Sequence, residues 1–323
     1  MVRQRDERLA AAAGVAVGQC LGVRTGEKVL RVTDPACREV AEALWHAACE
    51  AGSEPVVMLM RPRRIHGEEP PDHVAAAMAA SSVCVAPTTW SLTHTVARRK
   101  ASERGARIAT MPGITTEMMG RSLAANYDRI ASLSENVALR LDRGRELKVT
   151  SPAGTDLRMS ISGRNAARDT GIYRNPGEFG NLPGGEAFIA PVEGSASGRL
   201  VLDGSVGGIG VLDQPVVIDV VDGRAVSITG GHAAARLEEM VDLAGPDART
   251  VAEFGIGTNP AARVVGNILE DEKVLGTVHV ALGANASFGG RVQVGCHVDG
   301  VLFSPSVWVD GDPIVLAGRL LVE

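Results

Sequence analysis

The residues best equipped for chemistry lie late in the chain, between Glu253 and Asp299. The run Cys296-His297-Val298-Asp299 reads as a strand. His297 and Asp299 are two residues apart, so they project from one face and offer a nitrogen and a carboxylate to the same ion. His279 sits in the apolar run 277–283 (TVHVALG), where a lone histidine otherwise reads as a hydrogen-bonded core residue. Glu253, in AEFGIGTNP, and Glu186, in NLPGGEAF, are carboxylates in apolar, glycine-rich stretches. An unpartnered carboxylate is costly to bury there, and a metal or an arginine relieves that cost. Imidazole and carboxylate together are the donors that Zn²⁺, Mn²⁺ and Fe²⁺ favour, so the group reads as a metal site.

Several neighbours carry weaker signals. Glu270-Asp271-Glu272-Lys273 precedes His279 and reads either as a set of groups orienting it or as a solvated turn. Arg164, Arg168, Asp169 and Tyr173 precede the Glu186 loop and read as binders of a substrate terminus or as an exposed loop. His94 either lines a pocket or starts a helix. Cys296 is adjacent to His297 and therefore points to the opposite face, as core rather than nucleophile.

The elements that must position these groups change character along the chain. In the first half, apolar runs alternate with helical stretches. Strands are expected at Lys28–Val32, Pro55–Met60, Ser82–Ala86 and Arg107–Thr110. Helices are expected near 9–20, 36–51, 73–80, 91–104 and 118–144, with Asp34 capping the second and Ala51-Gly52 closing it. This alternation predicts a parallel sheet with right-handed crossovers. No GxGxxG follows the first strand, so the dinucleotide fingerprint is absent. From about 146, short strands recur between Gly, Asn, Asp and Pro turns, up to the closing PIVLAGRLLVE. That is the pattern of a mostly antiparallel β domain, interrupted by helices near 233–243 and 260–268. The expected fold is an α/β, Rossmann-like N-terminal domain over 1–145 and a β-rich α+β metal-binding, catalytic domain over 146–323.

Composition bounds the function. At 323 residues the chain suits two cores, and 45% apolar with 22% charged residues is that of a globular protein. A net charge of −5 argues against nucleic acid or a membrane surface as partner. No run reaches the roughly 18 apolar residues of a membrane span. The N-terminus has a basic start, but Asp6 and Glu7 interrupt it, so it reads as a helix rather than a signal peptide. Five dispersed cysteines (Cys20, Cys37, Cys49, Cys84 and Cys296) fit a reducing cytoplasm.

Asn181–Glu186, Glu253–Asn259, Leu269–Gly283 and Cys296–Gly300 resemble the aminopeptidase T family of metallo-aminopeptidases. Lys28–Asp34, Ser91–Thr95 and Ala109–Gly113 resemble the N-terminal domain of its shorter microbial members. The resemblance covers most of the chain and implies a homodimer with two ions of zinc, cobalt or manganese. It carries Glu186, Glu253, His279, His297 and Asp299 over as metal ligands, with Glu186 or Glu253 as general base. The implied reaction is metal-assisted hydrolysis of a short peptide or small amide. One position departs from the pattern: Ala286 stands where the family has a tyrosine, leaving Asn285 or Ser287 to replace it. A more distant resemblance, in the terminal H-x-D and in Ile314–Gly318, is to the dihydroxypyridine ring-cleaving dioxygenase. It implies one Fe(II) held by two histidines and a carboxylate, here His279, His297 and Asp299, with Glu253 at the place of its first histidine. A metal-free binding protein on the same fold is the non-enzymatic alternative.

Overall fold

A computed structural model describes the backbone of residues 2–322 and the side chains of residues 7–322; Glu323, the last residue of the expected closing strand, lies outside them. The chain forms two compact units, Met1–Ile130 with Gly171–Gly184 and Ala131–Thr170 with Gly185–Glu323.

In the first unit, helix α1 (Val2–Gly14) ends in a π-turn over Val15–Cys20. There follow β1 (Lys28–Thr33), α2 (Arg38–Glu50), β2 (Glu54–Leu59), α3 (Asp72–Ala79) and β3 (Val83–Thr88). Next come α4 (Val96–Glu103), β4 (Arg107–Pro112) and α5 (Thr116–Ser122), and then α6 (Tyr127–Arg143), which belongs from Ala131 onward to the second unit. The chain then passes through β5 (Glu146–Thr150), β6 (Asp156–Ser160) and β7 (Ala167–Asp169) before β8 (Phe179–Asn181). The first unit's sheet has the order β2-β1-β3-β4-β8, and every pairing is parallel. β3 is buried along its whole length, as a strand covered on both faces must be.

Side-chain caps move several helix ends away from their expected places. The helix expected over 91–104 begins only at Val96, because the Thr95 hydroxyl accepts the Arg98 N–H. His94 is thus exposed outside the helix. The long helix expected over 118–144 is two helices, since Asn126 Oδ1 accepts the Arg129 N–H and starts a new one. In place of the helix expected over 260–268, residues 260–267 are non-helical and a single turn, starting at Ile268, follows them. There the Glu270 carboxylate takes the Arg263 N–H, and Asp271 takes those of Val265 and Gly266, which replaces helical bonding.

The second unit continues with β9 (Glu186–Ile189), β10 (Ser197–Leu202), β11 (Ser205–Val206), β12 (Gly210–Val211), β13 (Val216–Val221) and β14 (Arg224–Thr229). It closes with α7 (Gly231–Leu243), β15 (Val251–Gly257), α8 (Ile268–Asp271), β16 (Val278–Gly283), β17 (His297–Leu302), β18 (Ser306–Val309), β19 (Asp312–Leu316) and β20 (Arg319–Leu320). Two antiparallel sheets result, β14-β13-β10-β6-β5-β18-β19-β20 and β12-β11-β17-β16-β15-β9-β7. A parallel sheet with helices followed by antiparallel β-rich sheets is the coarse arrangement that the sequence led us to expect. Ile189, Phe254, Ile256, Val278, Val280, Leu282, Val298 and Leu302 of the second sheet are buried in one cluster with Leu147, Val149, Leu157, Leu200 and Ile218 of the first. Each such burial stabilises by about 1.5–3 kcal/mol before the entropy of ordering is charged against it. No helix among the described residues is long and apolar enough to cross a membrane.

Candidate metal centre

Alternation along β9, β15, β16 and β17 gives their sheet two unlike faces. One is the apolar core face. Cross-strand rows build the other: Glu253, Ala281 and Asp299 form one, and Phe188, Gly255, His279 and Val301 the next. Glu186 follows opposite Gly257, and His297 pairs with Gly283. Paired residues face the same way, so all five expected donors leave the sheet on one side. A register shift between Val251 and Glu253 makes this possible. Val251 is in the core cluster, and only the extra residue of the bulge turns Glu253 to the opposite face. Gly255 supplies the room: a Cβ there would stand 2.1 Å from the His279 ring.

The five side chains converge. Glu253 spans both imidazoles, its Oε1 3.3 Å from His279 Nε2 and its Oε2 3.5 Å from His297 Nε2. Asp299 Oδ1 lies 3.4 Å from His297 Nε2, and Glu186 Oε2 lies 3.3 Å from His279 Nε2. His297 Nδ1 is 2.8 Å from the Ala284 carbonyl oxygen. A carbonyl only accepts, so Nδ1 keeps its proton and Nε2 is the nitrogen a metal would take.

A further cation completes the cluster. Lys273, 1% exposed, places its Nζ 2.5 Å from Glu186, 2.6 Å from Glu272 and 3.1 Å from Asp169. An ammonium has three donors, and here each meets a carboxylate. Five carboxylates (Asp169, Glu186, Glu253, Glu272 and Asp299) thus surround one ammonium and two imidazoles.

The excess of negative charge marks the titrations. Burial pushes the Glu186 carboxyl well above its ordinary range, even with Lys273 beside it. Burial opposes charge on Lys273, but Glu186, Glu272 and Asp169 outweigh it and hold the ammonium well above 10.5. Burial also opposes a charged His279. Its bond to Glu253 and the carboxylates of Glu186, Glu253 and Glu272 nevertheless raise it to about 9. His297 is raised well above 6.5 against burial, chiefly by Asp299. Burial pushes Asp299 up, but His297, with smaller help from His279 and Lys273, brings it down to about 2.

These donors suit a divalent ion. Two groups have ligand atoms within 4.8 Å of one another: Glu186, Glu272 and His279, and Glu253, His297 and Asp299. Glu186 Oε2, His279 Nδ1 and Asp299 Oδ1 are buried and make no hydrogen bond. Oxygen atoms left so would gain from a cation between them.

Other candidates have structural duties. Arg164 binds Glu193 and the Gly289 carbonyl, and Arg168 binds Glu135 and Asp142. Asp169 holds Lys273, and the Tyr173 hydroxyl donates to the Asn181 carbonyl. Asn285 cannot replace a tyrosine, because its side chain accepts the Val292 N–H and donates to Glu193. Cys296 packs half-buried against the core. Lys273 and Glu272 were the residues that sequence reasoning undervalued. The four consecutive charges read either as groups orienting His279 or as a solvated turn, and the burial of Glu270, Asp271 and Lys273 speaks against the turn.

Fold and donor set first define a class: an α/β unit joined to a β-rich unit, one sheet face of which gathers nitrogen and oxygen donors that could hold a metal ion. The NicX family model, 2,5-dihydroxypyridine 5,6-dioxygenase, matches residues 15–322, and the chain belongs to that family. A 2,5-dihydroxypyridine 5,6-dioxygenase of Pseudomonas putida KT2440 is 27% identical over 266 residues, 77% of this chain and 74% of that protein. The structure of the 2,5-dihydroxypyridine dioxygenase from Pseudomonas putida KT2440 superposes with a TM-score of 0.83 at 20% identity, covering 98% of this chain and 97% of the other. Wild-type AmpT from Thermus thermophilus superposes at 0.70 with 17% identity, over 98% and 99% of the two chains. At those identities both structural likenesses are of fold alone.

These findings overturn the expected hydrolase. The aminopeptidase, metalloprotease and peptide-cleaving readings fall with it, and the more distant resemblance is the family. The error has a physical cause. The order E…E…H…H-x-D points at most to donors able to hold a cation, and a donor set does not fix the reaction run at the ion. The expectation of an enzyme stands in its coarser form, as a member of a dioxygenase family.

Proposed function

We propose that this chain is a metal-dependent dioxygenase that opens a dihydroxylated, pyridine-like ring. The family match over residues 15–322 carries the reading, and the convergent donors of the β-rich unit support it. Glu253, His297 and Asp299 hold one Fe(II), and His279 stands on the other oxygen of Glu253. The Glu186–Glu272–His279 group already carries the Lys273 ammonium, which favours one ion over two. Bound iron supplies the one-electron chemistry that lets dioxygen react with a closed-shell ring.

The chain's own residues do the rest. The Ala284 carbonyl fixes the His297 tautomer, and Lys273 fixes Glu186 through Oε1. Glu186 Oε2, buried without a donor, is the atom that accepts the substrate's hydroxyl proton. Glu253 serves as ligand through one oxygen and holds the second imidazole, His279, in place through the other.

Full-length protein loaded with Fe(II) under nitrogen should bind about one iron per chain. It should then consume oxygen on addition of 2,5-dihydroxypyridine, read with an oxygen electrode and by loss of the ring's absorbance. His297→Ala should keep the fold by circular dichroism and lose both the iron and the oxygen uptake. Iron-loaded wild type that leaves 2,5-dihydroxypyridine and related hydroxylated N-heterocycles intact would end this reading.

A further inference from the structure

Aromatic residues are scarce, 3% of the chain, with five phenylalanines in all. Two of those five meet beside the donor cluster. Phe188 follows Glu186 by two residues on β9, so both side chains leave the donor face of the sheet. Opposite Phe188 on β15 is Gly255, and beyond it His279 on β16. Gly255 adds no side chain between the ring and the imidazole.

Phe288 reaches the same place from the turn between β16 and β17. Its ring meets Phe188 edge to face, centroids 5.4 Å apart, and meets the His297 ring at 5.8 Å and 89°. Both phenylalanines are half-buried, whereas Phe254, on the opposite face of β15, is wholly buried in the core. A core aromatic is fully enclosed by its neighbours. These two keep part of their surface free, and the ring of Phe288 meets a candidate ligand, His297.

The turn that carries Phe288 is held in place. Asn285 is fully buried, accepts the Val292 N–H through its side chain, and takes the N–H groups of Phe288 and Gly290 on its carbonyl. Glu193 binds Asn285 Nδ2 and the Arg291 N–H, and Arg164 ties Glu193 to the Gly289 carbonyl. Gly290 packs against Asn285 so closely that a Cβ there would stand 2.0 Å from its side chain. Phe288 is therefore preset rather than recruited on binding.

We propose that Phe188 and Phe288 form the wall against which a planar aromatic substrate stacks, with its oxygen substituents directed at the donors around His297. This deepens the ring-cleaving reading above and rests on it. Aromatic pairs favour offset or edge-to-face contact at centroid distances of about 4.5–7 Å, the range these rings already occupy. Such contact contributes roughly three- to tenfold in affinity beyond the area buried. The wall selects for flat rings over saturated or open-chain chelators of equal metal affinity.

The test compares two probes on the metal-loaded full chain under nitrogen. 3-Hydroxypyridin-4-one chelates through a planar ring, and acetohydroxamate chelates without one. By calorimetry, Phe288→Leu should weaken the hydroxypyridinone about three- to tenfold. It should leave acetohydroxamate and metal content unchanged, and Phe288→Tyr should restore the loss. Equal effects on both probes, or none on either, would overturn the wall. Phe188→Leu supplies the same comparison if the turn variant loses its metal. Because no turnover is needed, the two readings fail separately. A protein with an intact probe difference but no oxygen uptake on 2,5-dihydroxypyridine keeps the wall and loses the reaction. One that turns over this substrate with an unchanged probe ratio in Phe288→Leu loses the wall alone.

Discussion

Lys273 shows how much one buried cation can decide. Its ammonium answers Glu186, Glu272 and Asp169 together, and nothing else cationic is bonded to Glu186 Oε1 or Glu272 Oε1 among the described residues. Removing one partner of a buried charge group is worse than never having built it, because the remaining charges stay desolvated. Lys273→Met should therefore cost about 3–5 kcal/mol in urea unfolding of the metal-free protein. Added divalent metal should recover part of that loss, since a cation can take the vacated place. A variant as stable as wild type without metal would mean that the ammonium does not hold the cluster. The double role of Glu253, one oxygen toward each imidazole, likewise makes it the residue whose loss separates His279 from His297.

At the scale of elements, the site is a property of strand register. The bulge between Val251 and Glu253 reverses the phase of β15, and Gly255 then leaves space over its middle. β-branched residues are favoured in strands, so propensity alone would welcome valine at 255. The prediction runs the other way. Gly255→Val should retain the sheet by circular dichroism while displacing the His279 ring, with metal affinity falling roughly 10- to 100-fold. Titration of metal-free protein with Mn(II) measures this, and unchanged affinity would remove Gly255 from the account. The segment from Asn259 to Asp271 is equally an element-level result. Acidic side chains there take backbone N–H groups that an expected helix would have paired.

For the whole molecule, the titrations predict opposite limbs in the stability of the metal-free protein. His279 rises from 6.5 to about 9 on folding, so its contribution is complete below pH 6.5 and is lost as pH climbs through 9. His297, also raised, adds to that alkaline limb. Asp299 falls from 3.8 to about 2, so its contribution is complete above pH 3.8 and is lost as pH drops through 2. Melting temperatures of metal-free protein should thus decline between pH 6.5 and 9. Metal must displace the Nε2 proton of His297, which the neighbouring carboxylates hold, so its affinity should rise with pH and flatten the decline. A flat metal-free profile across that interval would contradict the raised imidazoles.

Local chemistry made much of this molecule legible from the chain alone. Period-two alternation and turn residues marked the β-rich half, and Asp34 and the β-branched runs marked the parallel half, because those signals act within a few residues. The candidate donors Glu186, Glu253, His279, His297 and Asp299 were likewise noticeable as polar groups in apolar or glycine-rich sequence. What needed the tertiary structure was everything set by distance across the chain. The bulge that turns Glu253, the burial of Lys273, and the meeting of Phe188 with Phe288 all depend on residues tens of positions apart. A charge run looks the same in sequence whether water or three carboxylates surround it. Only folding brings those partners within 3.1 Å and excludes the solvent that would otherwise have screened them.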